Sequence, residues 1–356
     1  MDDLERLGFS AYFGAQLADD ERARTARVTA EHRGAWEVQG SSFSVTARLA
    51  GRWRQEAEEL ALPAVGDWVV LRDAPRANEQ PVIERVLERR TLFSRGAAGR
   101  ETRAQAIAAN VDLVFVVCGL DADFNVRRIE RYLARVWASG ARPVVVLSKA
   151  DLCDDPAARL AEVLRHAPHV EVLVTSATER RGLEALTALI HEGATVAFVG
   201  SSGAGKSTLV NALAGAPLME TGAVRAHDGR GMHVTTHRQL VVLPSGGLLL
   251  DTPGMRELQL VDEEGLEQVF TELEELSRDC RFRDCQHDTE PGCAVRAAVE
   301  AGTLEAGRLE HWLQLGREAA AFELRHDVRR RRQAERVWGA LSDEAAMVRR
   351  LKGRNH

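Results

Sequence analysis

The stretch ATVAFVGSSGAGKSTLVNALAG, residues 194–215, limits the possible folds more than any other part of the chain. An apolar run ends at Gly200, a glycine-rich loop follows, and a helix begins near Lys206. The spacing of Gly200, Gly205, Lys206 and Ser207 is that of a phosphate-binding loop, placed between strand and helix as such a loop requires. Glycines let the backbone wrap around phosphate oxygens, so that successive N–H groups and the positive helix end face the anion. The expected cradle comprises Gly200, Ser201, Ser202, Gly203, Ala204, Gly205, Lys206, Ser207 and Thr208. Lys206 would reach the β- and γ-phosphates as a catalytic charge, and Ser207 would ligate Mg²⁺.

The surrounding segments fit the sheet that such a loop needs. The runs VDLVFVVCGL, RPVVVLSKADL and VEVLVTSA precede it, separated by helical segments, and LVVLPSGGLLLDTPG after it reads as a hairpin. Continuous Val/Leu runs alternating with amphipathic helices indicate a mainly parallel sheet covered on both faces. Asp251 ends the last run and is expected to serve Mg²⁺, while Gly254 of DTPG can offer its N–H to a γ-phosphate. The intervening HDGRGMHVTTH suits a loop that senses that phosphate, with Thr235 or Thr236 completing the metal shell and His233 a candidate for orienting the attacking water. Met255 stands where Ras-like enzymes carry a water-orienting Gln, so slow hydrolysis in isolation is expected, with a partner completing the site.

The nucleotide base is addressed by LSKADL, residues 147–152. Asp151 can accept both guanine donors, N1–H and the exocyclic amine, and Lys149 can lay its stem along the base plane. In TSA, residues 175–177, Ser176 and the Ala177 N–H stand at the end of the next strand, where that N–H can donate to the guanine O6. Either motif alone is common, but a pair at the carboxyl ends of consecutive parallel strands sits where α/β folds bind ligands. Ordinary GTPases present the base-reading pieces after the phosphate loop, whereas here they precede it. Joining the old termini and cutting elsewhere keeps every contact, so the order predicts a circularly permuted GTPase.

Outside this region, residues from about 25 to 95 alternate as strands. Phe43, Val45, Ala47 and Leu49 fall on one face, with Ser44, Thr46 and Arg48 on the other. Several short strands in so little chain suggest a closed barrel of OB or SH3-like type. After residue 263 the pattern is helical, interrupted by CRFRDCQHDTEPGC. Cys280, Cys285, His287 and Cys293 can close a tetrahedron on one structural Zn²⁺ with no open position. Cys118 and Cys153 are expected in the packing. A later helix places Leu309, Trp312, Leu313, Gly316 and Ala320 on one face as core.

Bulk properties exclude several classes. No apolar run approaches the ~20 residues that span a bilayer, and the acidic start lacks a secretory pattern, so a cytoplasmic protein without membrane contact is expected. The net charge is −6, yet residues 321–356 hold ten Lys/Arg against five Asp/Glu. A basic tail on an acidic body suits a local nucleic-acid contact, for which Arg48, Arg52, Arg54 and Arg329 to Arg332 are candidates.

With SKAD, TSA, GSSGAGKST, DTPGMRE and DCQHDTEPGCAV in this order, the chain resembles the ribosome small-subunit-dependent GTPases of RsgA type over nearly its whole length. The resemblance implies an N-terminal OB-fold barrel over 1–95, a circularly permuted P-loop GTPase domain over 96–262 and a helical zinc-binding domain over 263–356. It implies GTP and GDP with Mg²⁺ as ligands and the small ribosomal subunit with its rRNA as partner, with GTP hydrolysed when bound there and a role in late subunit maturation. A monomer is expected. Ser148 replaces the family's usual Asn, which predicts a looser tie between the base-reading and phosphate loops. Met232 and Val234 depart from the family's Arg-His-Thr-Thr-Thr. The rival readings are an RNA-binding nucleotide switch with little hydrolysis and a P-loop kinase. The kinase would need adenine tolerance, against which the SKAD and TSA pair argues.

Overall fold

The computed structural model describes residues 2–32, 34–50, 59–75, 79–96, 104–219, 239–251 and 263–326. Strand β1 (Thr25–His32) pairs with β2 (Ala35–Gln39), and β2 with β3 (Ser44–Leu49). β3 lies parallel to β5 (Val82–Val86), and β4 (Trp68–Leu71) joins β5 back to β1. The circuit 1-2-3-5-4-1 closes a five-stranded barrel of OB topology, which decides between the two barrel types that alternation alone left open. Alternation places Ala26, Val28, Trp36, Val38, Ala47 and Leu49 inside with Phe43 and Val45 packed against them, while Ser44, Thr46 and Arg48 face out. Two short helices, α1 (Asp3–Arg6) and α2 (Ala11–Gly14), bring Leu4, Leu7, Phe9 and Phe13 onto Trp68, Val70 and Leu87. Sequence patterning did not anticipate these one-turn helices, which are too short for a periodic signal.

A hairpin of β6 (Leu92–Gly96) and β7 (Ala104–Ala109) leads out of the barrel, and the expected boundary at 95/96 falls inside its first strand. The central sheet comes next. β8 (Leu113–Gly119), β9 (Arg142–Ser148), β10 (Glu171–Val174), β11 (Thr195–Val199), β12 (Gln239–Val242) and β13 (Leu248–Asp251) lie in the order 10-9-8-11-13-12. All neighbours are parallel except the terminal hairpin of β12 and β13. The helices α3 (Val126–Ala138), α4 (Pro156–His166), α5 (Leu183–Ala188) and α6 (Lys206–Ala214) complete the crossovers. Apolar side chains fill both faces of this sheet, as uninterrupted Val/Leu strands require. β8 and β9 precede β11 in the chain yet stand beside it in space, which is the arrangement that permutation predicts. Ala30 of β1 pairs with Gln239 of β12, so barrel and central sheet share a seam.

The remaining helices are α7 (Glu263–Val269), α8 (Thr271–Arg278), α9 (Ala294–Glu300) and α10 (Ala306–His326). They are not a separate core. Phe270, Leu273, Val295, Leu315 and Ala319 lie in one apolar cluster with Val114, Val116, Val145 and Leu147 of the sheet and with Ile129 and Leu133 of α3. α7 approaches α3 closely: a Cβ at Gly265 would lie 1.8 Å from the Ala134 carbonyl oxygen, so glycine is required there.

The expected stripe on α10 is shifted by one residue. Its buried face carries Arg308, His311, Leu315 and Ala319, while Leu309 and Trp312 flank the core and Ala320 is exposed. The cause is a buried ionic centre that hydrophobic periodicity cannot register. Glu130 of α3, 1% exposed, accepts hydrogen bonds from Arg308 and, at 2.6 Å, from His311 Nδ1. Cys118 is buried and Cys153 packs against the same cluster, as expected. Among the described residues no helix is long and apolar enough to cross a membrane.

Candidate functional site

Strand β11 delivers the chain into the loop at the carboxyl edge of the sheet, next to β8 and β13. Gly200 adopts φ 142°, and a Cβ there would lie 2.2 Å from the Val117 carbonyl oxygen, so only glycine allows the loop to leave β11 at this angle. The loop then turns into α6, with Lys206, Ser207 and Thr208 in its first turn. The Lys206 ammonium arches back over the loop, donating to the carbonyls of Gly200 at 2.8 Å and Ser201 at 2.5 Å. Ser202 and Gly203 lie exposed at the tip, and Ala204 is buried beneath. The geometry is a cradle of backbone N–H groups with a cation across its mouth, suited to an anionic polyphosphate. Asp251 ends β13, whose parallel pairing with β11 sets it on the loop's side of the sheet. Ser207 stands in the first turn of α6, beside the strand that Asp251 ends.

The two base-reading motifs end β9 and β10, side by side. The backbone joins them through Thr175 N–H to Leu147 carbonyl at 2.8 Å and Ala150 N–H to Thr175 carbonyl at 3.0 Å. Their side chains meet as well: the Ser176 hydroxyl donates to Asp151 Oδ1 at 2.5 Å. That bond comes first among the causes holding the Asp151 carboxyl below its ordinary value, so the acceptor is ionised and fixed. Ala177 comes next in the same turn. Lys149 sits at φ 59°, a left-handed conformation uncommon for a residue with a side chain.

Ser148, 2% exposed, does keep a tie between the two loops: its hydroxyl donates to the phosphate-loop carbonyl of Ala204 at 2.5 Å. Gly205 leaves room for that contact, since a Cβ there would approach the hydroxyl to 3.3 Å.

Two carboxylates that sequence reasoning missed complete the site. Asp121 Oδ2 accepts from Lys149 Nζ at 2.5 Å, and this bond is the first cause of its lowered pKa. Asp123 accepts from the Ser201 hydroxyl and from Arg128 Nη1, the latter at 2.6 Å. The available signal was DADFN directly after a fully apolar strand, at the sheet edge where ligands bind. His233, Thr235, Thr236, Gly254 and Met255 lie outside the described residues, as do Arg52, Arg54 and Arg329 to Arg332.

Some distance along the chain, Cys280, Cys285, His287 and Cys293 bring their donor atoms within 4.8 Å of one another. Bonds of ~2.3 Å to sulfur place tetrahedral neighbours roughly 3.8 Å apart. Cys280 Sγ lies 3.9 Å from Cys293 Sγ and 3.7 Å from His287 Nδ1, while His287 Nδ1 lies 3.4 Å from Cys293 Sγ. A borderline-soft ion of zinc size fits this donor set, and all four donors are used, which marks a structural centre. The cluster is tied to the core: Cys293 caps α9 through the Arg296 N–H, and the His287 ring stands 5.1 Å from that of Trp312 on α10.

Comparison with known proteins agrees with this geometry. A family model described as RsgA GTPase matches residues 86–261. A protein named "Small ribosomal subunit biogenesis GTPase RsgA" from Opitutus terrae is 44% identical over 363 residues, covering 99% of each chain. One named "Small ribosomal subunit biogenesis GTPase RsgA 2" from Vibrio parahaemolyticus is 46% identical over 322 residues, covering 89% of this chain and 86% of its own length. The solved structure of YjeQ from Thermotoga maritima aligns with TM-score 0.61 and 26% identity over 83% of this chain and 98% of that one. YloQ, described as a circularly permuted GTPase, aligns with TM-score 0.60 and 25% identity, covering 83% and 95%.

Proposed function

Because this chain belongs to the RsgA GTPase family and is a GTP-hydrolysing enzyme, we propose that it acts in biogenesis of the small ribosomal subunit as a subunit-stimulated GTPase. The observation that carries the nucleotide half of this reading is the joined base pocket, in which Ser176 fixes the Asp151 carboxylate at the edge shared with the phosphate loop. Guanine offers two donors to that carboxylate, and adenine offers the opposite pattern. The role in small-subunit biogenesis is supported by the names of relatives that align along almost the full chain.

In this reading the cradle from Gly200 to Thr208 binds the phosphates, and Lys206 counters charge that develops on the transferred group. Ser207, Thr235 and Asp251 would hold Mg²⁺, which would supply positive charge to the phosphates. Gly254 senses the γ-phosphate. Met255 cannot orient a water, so the bound subunit completes the site by ordering the segment that carries His233. Cys280, Cys285, His287 and Cys293 hold one structural Zn²⁺. The basic arginines, among them exposed Arg48, meet rRNA phosphates. The chain works as a cytoplasmic monomer without membrane contact, in three stretches over 1–95, 96–262 and 263–356, of which the last two share one core. Steady-state turnover of GTP and of ATP tests the nucleotide assignment: GTP alone should be hydrolysed at low enzyme concentration, and equal rates would overturn it.

A further inference from the structure

The phosphate loop is gripped from outside by a carboxylate that has no role in the established motif set. Asp123 lies between β8 and α3, accepts from the Ser201 hydroxyl on one side and from Arg128 on the other, and is thereby fixed both to the loop and to the first turn of α3. Burial works to raise its pKa, and the Arg128 and Ser201 hydrogen bonds outweigh burial, so the group stays ionised below its ordinary range. The same short turn carries Asp121, which holds Lys149, and the Asp123 N–H donates back to Asp121 Oδ1 at 3.1 Å. One turn of chain therefore positions a residue of the phosphate loop and a residue of the base-reading loop together.

That turn is the N-terminal lead of α3, and α3 is held along its length by the C-terminal helices. Arg127 donates to the Gly307 carbonyl at 3.2 Å, Arg131 pairs with Glu318 at 2.6 Å, and Glu130 takes Arg308 and His311. Further along, Gly265 of α7 seats against the Ala134 carbonyl. Glu130 lies about one helical turn, on the order of 6 Å, from Val126 at the start of α3, and Asp123 lies three residues before that start. A helix is stiff over that length, and packed interfaces shift between discrete arrangements and do not deform gradually. Contacts from α10 therefore connect, along α3, to the helix start whose Arg128 holds Asp123.

We propose that Asp123 is a positioning residue of the phosphate loop, and that the C-terminal helix α10 sets nucleotide affinity by setting Asp123 through α3. The inference rests on the reading of the chain as a guanine-nucleotide enzyme. It supplies a route from the C-terminal helices to the nucleotide. Apart from the packing at Gly265, the contacts on the path are ionic or charge-assisted, the stronger kind of hydrogen bond.

The test is a double-mutant cycle on GDP affinity in the full chain, with KM and kcat for GTP measured alongside. Asp123→Asn keeps the shape and removes the charge; Arg131→Ala removes a half-exposed ion pair about two turns away. Arg131→Ala should weaken GDP by about five-fold in the wild-type background and by much less in the Asp123→Asn background, because the path is already cut there. The same variant should raise KM for GTP with kcat nearly unchanged, and Arg131→Lys should restore binding. An equal effect of Arg131→Ala in both backgrounds, or no effect in either, would overturn the proposal. Failure of the wild-type chain to bind GDP would instead contradict the nucleotide reading itself, so the two failures are distinguishable. If Asp123→Asn does not fold, Ser201→Ala closes the same cycle from the loop side.

Discussion

At the scale of single residues, the account depends most on Asp151. Its carboxylate is aimed and kept ionised by the Ser176 hydroxyl, and in the proposed reading it accepts from both guanine donors, a pattern that adenine does not offer. Asp151→Asn replaces one acceptor oxygen by a donor, which opposes the guanine amine and matches the carbonyl that xanthine carries in its place. Hydrogen bonds to a charged group are the stronger kind, so GTP affinity should fall by roughly 10- to 100-fold while xanthosine triphosphate gains. Competition binding against labelled GDP reads this directly, and an unchanged order of preference would remove Asp151 from the pocket. Ser148 shows what local reasoning leaves open at this scale. The motif suggested a weaker contact, and a tie is kept, because strand pairing brings the hydroxyl within 2.5 Å of the Ala204 carbonyl.

At the scale of elements, the metal cluster organises a stretch with little regular structure. Between the end of α8 at Arg278 and the start of α9 at Ala294, the chain is held by turns and by the four donors. Metal binding at such a site is folding free energy, since a preformed site is rare in an unfolded chain. Chelation, or Cys293→Ser, should therefore unfold residues 279–304 locally and raise amide exchange there, with the barrel amides retaining their protection. Uniform exchange before and after chelation would show that the cluster does not hold the segment. This element was legible because four candidate ligands, three Cys and one His, fell within fourteen residues. The phosphate loop was legible for the same reason: its chemistry is local. The face of α10 was not, because its buried positions include Arg308 and His311, whose partner Glu130 lies far away in the chain. Polar residues at core positions break the periodic signal, and only the tertiary partner explains them. The short helices α1 and α2 were not legible because one turn carries no period. Asp121 and Asp123 were within reach of the sequence, since every apolar strand of a parallel sheet ends at the ligand-binding edge, whether or not a known motif stands there.

At the scale of the whole molecule, the C-terminal helices and the central sheet form one core with a charged centre inside it. Burial alone would raise the Glu130 pKa, but hydrogen bonds from His166 and His311 and the charge of Arg308 bring it down to about 2, from an ordinary 4.5. A carboxyl depressed in this way contributes stability that is fully present above about pH 4.5 and is lost as the pH falls towards 2. Removing its charge takes from buried Arg308 one of two carboxylate partners and leaves it Glu272, at a cost of about 2 kcal/mol. Glu130→Gln should therefore be less stable than wild type by that amount at pH 7 in denaturant titrations, and the gap should narrow between pH 4.5 and 2. A gap that stays constant over this window would mean that Glu130 is not the ionised centre of the interface.

The same unity bears on function. In the proposed reading, Met255 stands where a water-orienting Gln is missing, and the bound subunit supplies what the isolated chain lacks. The most direct measurement is steady-state GTP turnover with and without purified small ribosomal subunits, with large subunits as the control. The account predicts slow turnover alone and acceleration by about ten-fold or more with small subunits only. The same rate with and without small subunits would contradict it.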